Sequence, residues 1–192
     1  MNYKELDKKV VDKQKNQPKR YSFNLSEIDD KIEAPYLTKN DEQLYLYRKR
    51  FRIKDYSESI SDIYTVFYII NQDGEVCGRV PVYINEKPNQ ASIDYFFKPN
   101  FQNQGIGSVA VALVLSQIFA AQIFDGYYFN STQGRVKTHI KEIRLAINTD
   151  NIPSRKLACK LGFSEDKKDP TQFILTKNKY FGKDHDNNIE RT

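Results

Sequence analysis

The apolar segment at residues 108–124 constrains the fold of this chain more than any other feature. It holds no glycine, no proline and no charged side chain. Its length allows about four helical turns, and apolar side chains lie on nearly every face of those turns, which is typical of a helix buried in a core. It is too short to span a bilayer. A chain of 192 residues is long enough to build one domain around such a helix.

A polar loop with two glycines precedes this helix. We predict a strand over residues 91–97, a loop over 98–104, and a helix that opens at Gly105-Ile106-Gly107-Ser108. The first backbone N–H groups of a helix have no intrahelical acceptor and lie at the positive end of the helix dipole. Glycines allow an anion to reach these groups because no Cβ is in the way. The arrangement therefore indicates a phosphate-binding loop.

The two glycines also have other interpretations. Gly105-x-Gly107-x-x-Ala110 fits a dinucleotide-binding motif, but the preceding strands form an antiparallel meander, and no strand ends in an acidic residue about 20 residues on. A lysine-containing phosphate loop is absent because Ser108, and not lysine, follows Gly107. A tight turn that lets a helix pack closely on a strand would need no ligand.

Two segments together resemble a known family. Gln102-Asn103-Gln104-Gly105-Ile106-Gly107 resembles the Q/R-x-x-G-x-G/A signature of the GNAT superfamily of acyl-CoA-dependent N-acetyltransferases. The segment at 151–163, NIPSRKLACKLGF, is similar to the second conserved block of that family, and closest to the branch of ribosomal-protein N-terminal acetyltransferases. The resemblance covers about residues 62–177. It implies an α+β fold with a mixed, mostly antiparallel sheet of six to seven strands, flanked by helices and splayed between the strands at 91–97 and 141–147.

The resemblance also implies a site for acetyl-CoA in that splay. The backbone N–H groups of residues 104–108 would hold the pyrophosphate, the backbone of Phe97 would pair with the pantetheine arm, and the Asn151 side chain would contact that arm, with Ser154 near it. Helix capping alone would also explain Asn151 and Ser154. The full set assigned to acetyl-CoA is Phe97, Gln102, Gln104, Gly105, Ile106, Gly107, Ser108, Asn151 and Ser154.

The catalytic groups depart from a common pattern of the family. Many members carry a tyrosine seven residues after the motif asparagine, and some carry a glutamate five residues before it; these positions hold Ala158 and Ala146 here. We therefore predict Ser154 as a proton donor to the departing thiolate and Asp94 as a base that acts through water. A surface carboxylate on a meander strand would equally explain Asp94. The missing residues would also fit a non-catalytic acyl-CoA-binding module.

Charge and composition restrict the partners. The net charge is +5, and residues 1–20, with seven basic and three acidic side chains, supply most of it. The two cysteines and two histidines show no metal-ligand spacing, so we expect no metal. The segment YRKRFRIK at 47–54 would suit a ribosome- or RNA-binding protein, but flanking acidic residues favour a solvated helix face, and we expect no nucleic acid partner. Without a signal-peptide pattern, we expect a cytoplasmic monomer or homodimer with no membrane contact.

The other segments complete a predicted order of elements. Residues 38–51 predict a helix capped by Asn40, and residues 148–163 predict one capped by Asn151, with Pro153 in its first turn and Gly162 as its stop. Strands are predicted over residues 20–28, 63–70, 75–85, 141–147 and 171–177. We divide the chain into a basic, solvated arm at 1–20, a single acetyltransferase domain at 21–181, and a polar tail at 182–192.

Overall fold

The computed structural model of the chain describes residues 3–14, 30–37, 43–51, 64–84, 87, 89–120, 126–130 and 134–182. They form two compact units. The first unit contains the described residues of 1–54, 63–82 and 94–114, and the second contains those of 83–93 and 115–192. Strand 20–28 and the end of the predicted tail therefore lie outside the described residues.

The described residues contain four α-helices, eleven strands and one short 3-10 helix at Pro99–Phe101. The helices are α1 (Tyr3–Gln14), α2 (Ile106–Phe119), α3 (Ile152–Lys160) and α4 (Lys177–Tyr180). The strands are β1 (Asp30–Leu37), β2 (Gln43–Phe51), β3 (Tyr64–Asn71), β4 (Val76–Ile84), β5 (Gln90–Ile93), β6 (Phe96–Phe97), β7 (Gly126–Asn130), β8 (Gly134–Thr138), β9 (Glu142–Ala146), β10 (Ser164–Glu165) and β11 (Gln172–Thr176). No helix in these ranges has the length and the hydrophobicity needed to cross a membrane.

The first unit is built on antiparallel strands in the order β1-β2-β3-β4, and β6 pairs with β4. The hairpin predicted from residues 63–85 is confirmed as β3 and β4. Its turn depends on Asn71, whose side-chain Oδ1 accepts hydrogen bonds from the N–H groups of Asp73 (3.1 Å) and Glu75 (2.9 Å). A buried asparagine in this role fixes the turn without a neighbouring element.

The first twenty residues are not simply a solvated arm, because helix α1 occupies Tyr3–Gln14. Leu6 and Val10 are fully buried and share a core cluster with apolar residues of β2, β3 and β4. Helix α1 lies close to the β3–β4 turn at Gly74, where a Cβ would come within 2.5 Å of Lys9 backbone and side-chain atoms. The prediction of a solvated arm is therefore wrong over α1, since two apolar side chains spaced one turn apart are enough to dock an otherwise charged helix.

The docking of α1 can be tested with one matched pair of substitutions. Val10 is 0% exposed and its neighbour Val11 is 51% exposed. We expect Val10→Ala to lower the free energy of unfolding by about 2 kcal/mol, because two buried methyl groups are lost and a cavity is left. Val11→Ala should change it by less than about 0.5 kcal/mol. Urea unfolding measures both values, and equal effects would contradict the docking of α1.

The helix predicted over residues 38–51 is wrong, because Gln43–Phe51 forms β2. This strand lies between β1 and β3, and each of residues 44–48 is buried. A strand that is covered on both faces shows no period-two alternation. Its apolar residues Leu44, Tyr47 and Phe51 therefore matched helical spacing without forming a helix.

The basic segment 47–54 is consequently not a solvated helix face. Its first five residues belong to β2, and Arg48 is only 4% exposed. Residues 52–54 lie outside the described ranges.

The strand predicted over residues 91–97 is divided into β5 and β6, with Asp94 and Tyr95 between them. β5 belongs to the second unit, whereas β6 belongs to the first and pairs with β4. Gly78 of β4 makes room for β6, since a Cβ at this position would come 2.5 Å from Cδ1 of Phe97. A continuous alternating pattern could not reveal this break.

The second unit contains the strand order β5-β9-β11-β10, in which β5 and β9 are parallel and the other neighbours are antiparallel. The predicted strands at 141–147 and 171–177 are confirmed as β9 and β11. A separate antiparallel hairpin, β7–β8, was not predicted. The mixed, mostly antiparallel α+β class predicted from the sequence is thus confirmed.

Helix α2 confirms the buried helix predicted after the glycines. It begins at Ile106, and none of its residues is exposed. The most buried residues follow helical spacing: Ile106, Ala110, Val111, Val114, Leu115, Ile118 and Phe119. Its first turn, in the first unit, is thereby fixed in place by the core.

Candidate functional site

The loop before α2 is ordered by the side chains of its two motif glutamines. Gln102 Nε2 donates to the Phe97 carbonyl at 2.9 Å, and Gln104 Nε2 donates to the Asn100 carbonyl at 2.7 Å. The Pro99–Phe101 3-10 turn starts the loop, and the Gln102 N–H donates to the Pro99 carbonyl. Both glutamines therefore order the loop through their side chains. These contacts do not engage the backbone N–H groups of residues 104–107.

Gly105 combines a left-handed backbone with open space. Its φ is +81°, a conformation that residues with a Cβ rarely adopt. An ideal Cβ built at this position would meet no atom within 4 Å. Close packing of a helix against a strand therefore does not explain this glycine. The turn requires its φ, and the space in front of it is open to a ligand.

Four successive amides that lead into α2 lack acceptors among the described residues. The Ser108 N–H and Oγ both donate to the Gly105 carbonyl, at 3.1 and 3.2 Å, and the Val109 N–H donates to the same atom at 3.3 Å. Within the described residues, the N–H groups from Gln104 through Gly107 have no hydrogen-bond acceptor. Because they lie at the positive end of a 14-residue helix, they suit a polyanion such as the pyrophosphate of acetyl-CoA. The N–H of Ser108, which was predicted to join them, instead donates to the Gly105 carbonyl.

The backbone of Phe97 points away from β4. Gly78 lies opposite Phe97 in the pair, and the Lys98 N–H donates to the Cys77 carbonyl at 2.9 Å. Residues that hydrogen-bond to the partner strand alternate with residues that do not, so the N–H and carbonyl of Phe97 face the other edge. The carbonyl accepts from Gln102, and the N–H has no acceptor in the described part of the chain.

Asp94 lies in the interval between β5 and β6, where its backbone N–H donates to the Pro81 carbonyl of β4 at 3.1 Å. Its side chain is half-buried. Burial raises the pKa of the Asp94 carboxyl above its usual 3.8, and the positive charge of Arg79 partly opposes that rise. A carboxylate that is harder to ionise than usual is a stronger proton acceptor. This environment is unlike that of a surface carboxylate.

Asn151 and Ser154 lie at the start of α3 in the second unit. Asn151 caps the helix, and its Oδ1 accepts from the Ser154 N–H at 3.3 Å, so the predicted cap is confirmed. Both residues are accessible at least in part. Ala158, at the position where many relatives carry tyrosine, is fully buried, whereas Ala146 is exposed.

The structure thus groups most of the predicted residues in the first unit. Asp94, Phe97 and residues 102–108 belong to it, and Asn151 and Ser154 belong to the second. Arg79 was not predicted, because only the register of β4 against β6 places it opposite Phe96. In the described part of the chain, no group of three or more His, Cys, Asp or Glu residues could hold a metal ion.

Comparison with protein families gives one match. The family model described as Acetyltransferase (GNAT) domain matches residues 20–164, which is more than half of the chain. No curated protein matches the sequence.

Comparison with solved structures gives distant likenesses. A spermidine N-acetyltransferase from Vibrio cholerae in complex with CoA and spermine is 15% identical, with a TM-score of 0.48 over 62% of this chain and 68% of that one. RimJ from Mycobacterium smegmatis in complex with CoA-disulfide is 20% identical, with a TM-score of 0.44 over 59% of this chain and 53% of that one. Neither likeness is close enough to indicate a substrate.

Proposed function

This chain belongs to the acetyltransferase (GNAT) family and transfers the acetyl group of acetyl-CoA to an amine, and we propose that its acceptor is the α-amine of a peptide or protein, or another amine of similarly low pKa. The family membership makes it an enzyme rather than a non-catalytic acyl-CoA-binding module. The observation that carries the acetyl-CoA site is the open Gly105 turn before a buried helix, with backbone amides that have no acceptor among the described residues.

Residues 104–107 bind the pyrophosphate in this proposal. Their amides have no acceptor in the described residues, and the space beside Gly105 is open; each hydrogen bond to a charged phosphate oxygen is worth roughly 1.5–3 kcal/mol. The Phe97 N–H, which faces away from β4, pairs with the pantetheine arm. The contact of Asn151 with that arm and the role of Ser154 as proton donor rest on the motif and stay predictions.

The transfer itself requires little covalent chemistry from the protein. The acceptor nitrogen bonds to the acetyl carbonyl carbon, the C–S bond breaks, and the sulfur leaves with the electron pair. The nitrogen loses one proton, which we assign to Asp94 through a water molecule, because Asp94 carries a half-buried carboxylate two residues before β6. A backbone N–H at the end of the strand segment 91–97 would polarise the carbonyl.

The acceptor class follows from the cost of a neutral amine. A lysine-type amine with a pKa near 10.4 is only about one part in 2,500 neutral at pH 7, at a cost of roughly 4–5 kcal/mol. An α-amine with a pKa of about 7.7–8.0 costs only about 1 kcal/mol. Ala146 and Ala158 stand at two positions where relatives carry acid–base groups. This site therefore suits acetylation of an α-amine better than acetylation of a lysine-type amine.

Paired peptides test the acceptor class. One peptide has a free N-terminus and no lysine, and the other is blocked at its N-terminus and contains one lysine. We expect the rate of CoA thiol release, as kcat/KM, to be about 10²-fold higher for the free N-terminus at pH 7, in line with the difference in ionisation cost. Faster release with the blocked lysine peptide, or with spermidine, would refute this acceptor class.

The cellular setting completes the proposal. We expect a cytoplasmic enzyme that acts as a monomer or homodimer and has no nucleic acid partner. The buried Arg48 supports the last point, because it removes one cation from the basic segment 47–54.

A further inference from the structure

Arg79 is held in place but has no hydrogen-bond partner in the described residues. Its guanidinium carbon lies 5.2 Å from the centroid of the Phe96 ring, directly across the pair of β4 and β6. Its Nε is buried and has no acceptor in that part of the chain. Buried polar atoms almost always have a partner, and a guanidinium offers five N–H donors in a rigid fork. The cation–π contact fixes the fork without using those donors.

The neighbouring carboxylate does not satisfy this guanidinium. Asp94 lies opposite Pro81, two residues along β4 from Arg79, so both side chains are on the same face of the pair. The two charges interact, but no hydrogen bond or ion pair joins the side chains in the described part of the chain. This face therefore presents a carboxylate and a guanidinium that has no hydrogen-bond partner among the described residues, on strand positions whose Cα atoms are about 7 Å apart.

We propose that Arg79 binds a carboxylate of the acceptor, so that the preferred acceptor is an α-amine with an acidic side chain next to it in the chain. The inference rests on the proposed function, in which the amine lies near Asp94. The spacing of these strand positions, about 7 Å, is on the scale of the distance from an N-terminal amine to a carboxylate on the first or second residue. Arginine suits this task because it binds a carboxylate through two parallel hydrogen bonds.

The anion has a second possible source, since the phosphates of acetyl-CoA share the chemistry that a guanidinium recognises. We assign the carboxylate because Arg79 shares its face with Asp94, the group given to the acceptor amine. Binding of Arg79 to the acetyl-CoA phosphates is therefore tested by a separate measurement.

Two peptides and three variants test the assignment. The peptides have a free N-terminus and no lysine and differ only in Asp or Asn at the second position. Their affinity is measured by calorimetry in the presence of CoA, and kcat/KM by thiol release. We expect the wild type to prefer the Asp peptide by about 10- to 100-fold. Arg79→Gln should abolish the preference by weakening the Asp peptide alone, and Arg79→Lys should keep part of it.

Lys167→Gln is the control, because it removes one positive charge from an exposed position, and it should keep the full preference. Equal binding of both peptides to the wild type, or an unchanged preference in Arg79→Gln, would overturn the assignment. So would a loss of affinity for acetyl-CoA in Arg79→Gln that disappears with acetyl-dephospho-CoA, because the anion would then be the 3′-phosphate. If Arg79→Gln does not fold, Arg79→Lys decides between the same outcomes. Absence of thiol release with every amine would contradict the proposed function, while the binding measurement would still decide the role of Arg79.

Discussion

We expect Asp94→Asn to lower kcat by roughly 10²- to 10⁴-fold, the usual contribution of a positioned general base. Acetyl-CoA binding should remain near the wild-type value, because asparagine keeps the shape of the side chain and the backbone bond to Pro81 is untouched. Asp73→Asn is the matched control, since it makes the same exchange at an exposed turn. An unchanged kcat in Asp94→Asn would remove the base from the mechanism.

The stability of the same variant separates catalysis from folding. Burial raises the pKa of Asp94 above 3.8, so the folded state binds this proton more tightly than the unfolded state does. The stabilisation is complete at pH values below 3.8 and is lost as the pH rises through the elevated pKa. At neutral pH the ionised carboxylate thus gives no stability that asparagine would remove. We expect the free energy of unfolding at pH 7 not to fall, and the acidic limb of kcat/KM to lie above pH 3.8 in the wild type.

Replacing Gly105 with valine should abolish acetyl-CoA binding. The branched side chain would fill the open space beside Gly105, where the proposal places the pyrophosphate, and the loss of several charge-assisted hydrogen bonds corresponds to at least about 10²-fold in affinity. Wild-type protein should gain thermal stability from acetyl-CoA by mass action, and the variant should not. Thermal unfolding with and without acetyl-CoA measures this difference.

Backbone strain alone could also affect the Gly105 variant, and Gly182→Val controls for it. Gly182 has a φ of +72° and open space around its Cβ position, as Gly105 does, but it lies after α4. Both variants should lose intrinsic stability, since a β-branched residue is strained at positive φ. Only the Gly182 variant should still be stabilised by acetyl-CoA. Equal stabilisation of the Gly105 variant would contradict the phosphate site.

The sequence predicted those parts of the fold whose signals are local. Helix α3 has its cap, its first-turn proline and its following glycine within one segment, and the structure retains all three, with Asn151 bonded to the Ser154 N–H. The β3–β4 hairpin was likewise predicted from its NQDG turn. The prediction of where α2 starts depended only on two glycines and the apolar run that follows them. In each case, neighbouring residues are sufficient to specify the element.

The parts that could not be predicted depend on distant contacts. Helix α1 is stabilised by burying Leu6 and Val10 against strand residues 35 or more positions away, and its own sequence is mostly charged. The apolar pattern of strand β2 resembles that of a helix, because both faces of the strand are covered. The setting of Asp94 depends on Arg79, which only the strand register brings near. The sequence therefore indicated the loop before α2 and Asp94 as candidate site residues, but it gave no signal for Arg79.

Amide hydrogen exchange at residues 104–107 tests the central claim most directly, because these N–H groups are the ones assigned to the pyrophosphate. Exchange is measured for the free protein, with acetyl-CoA, and with S-acetylpantetheine, which lacks the pyrophosphate. We expect acetyl-CoA to slow exchange at these four amides and S-acetylpantetheine to leave them unchanged. Unaltered exchange with saturating acetyl-CoA, or equal protection by both compounds, would contradict the account.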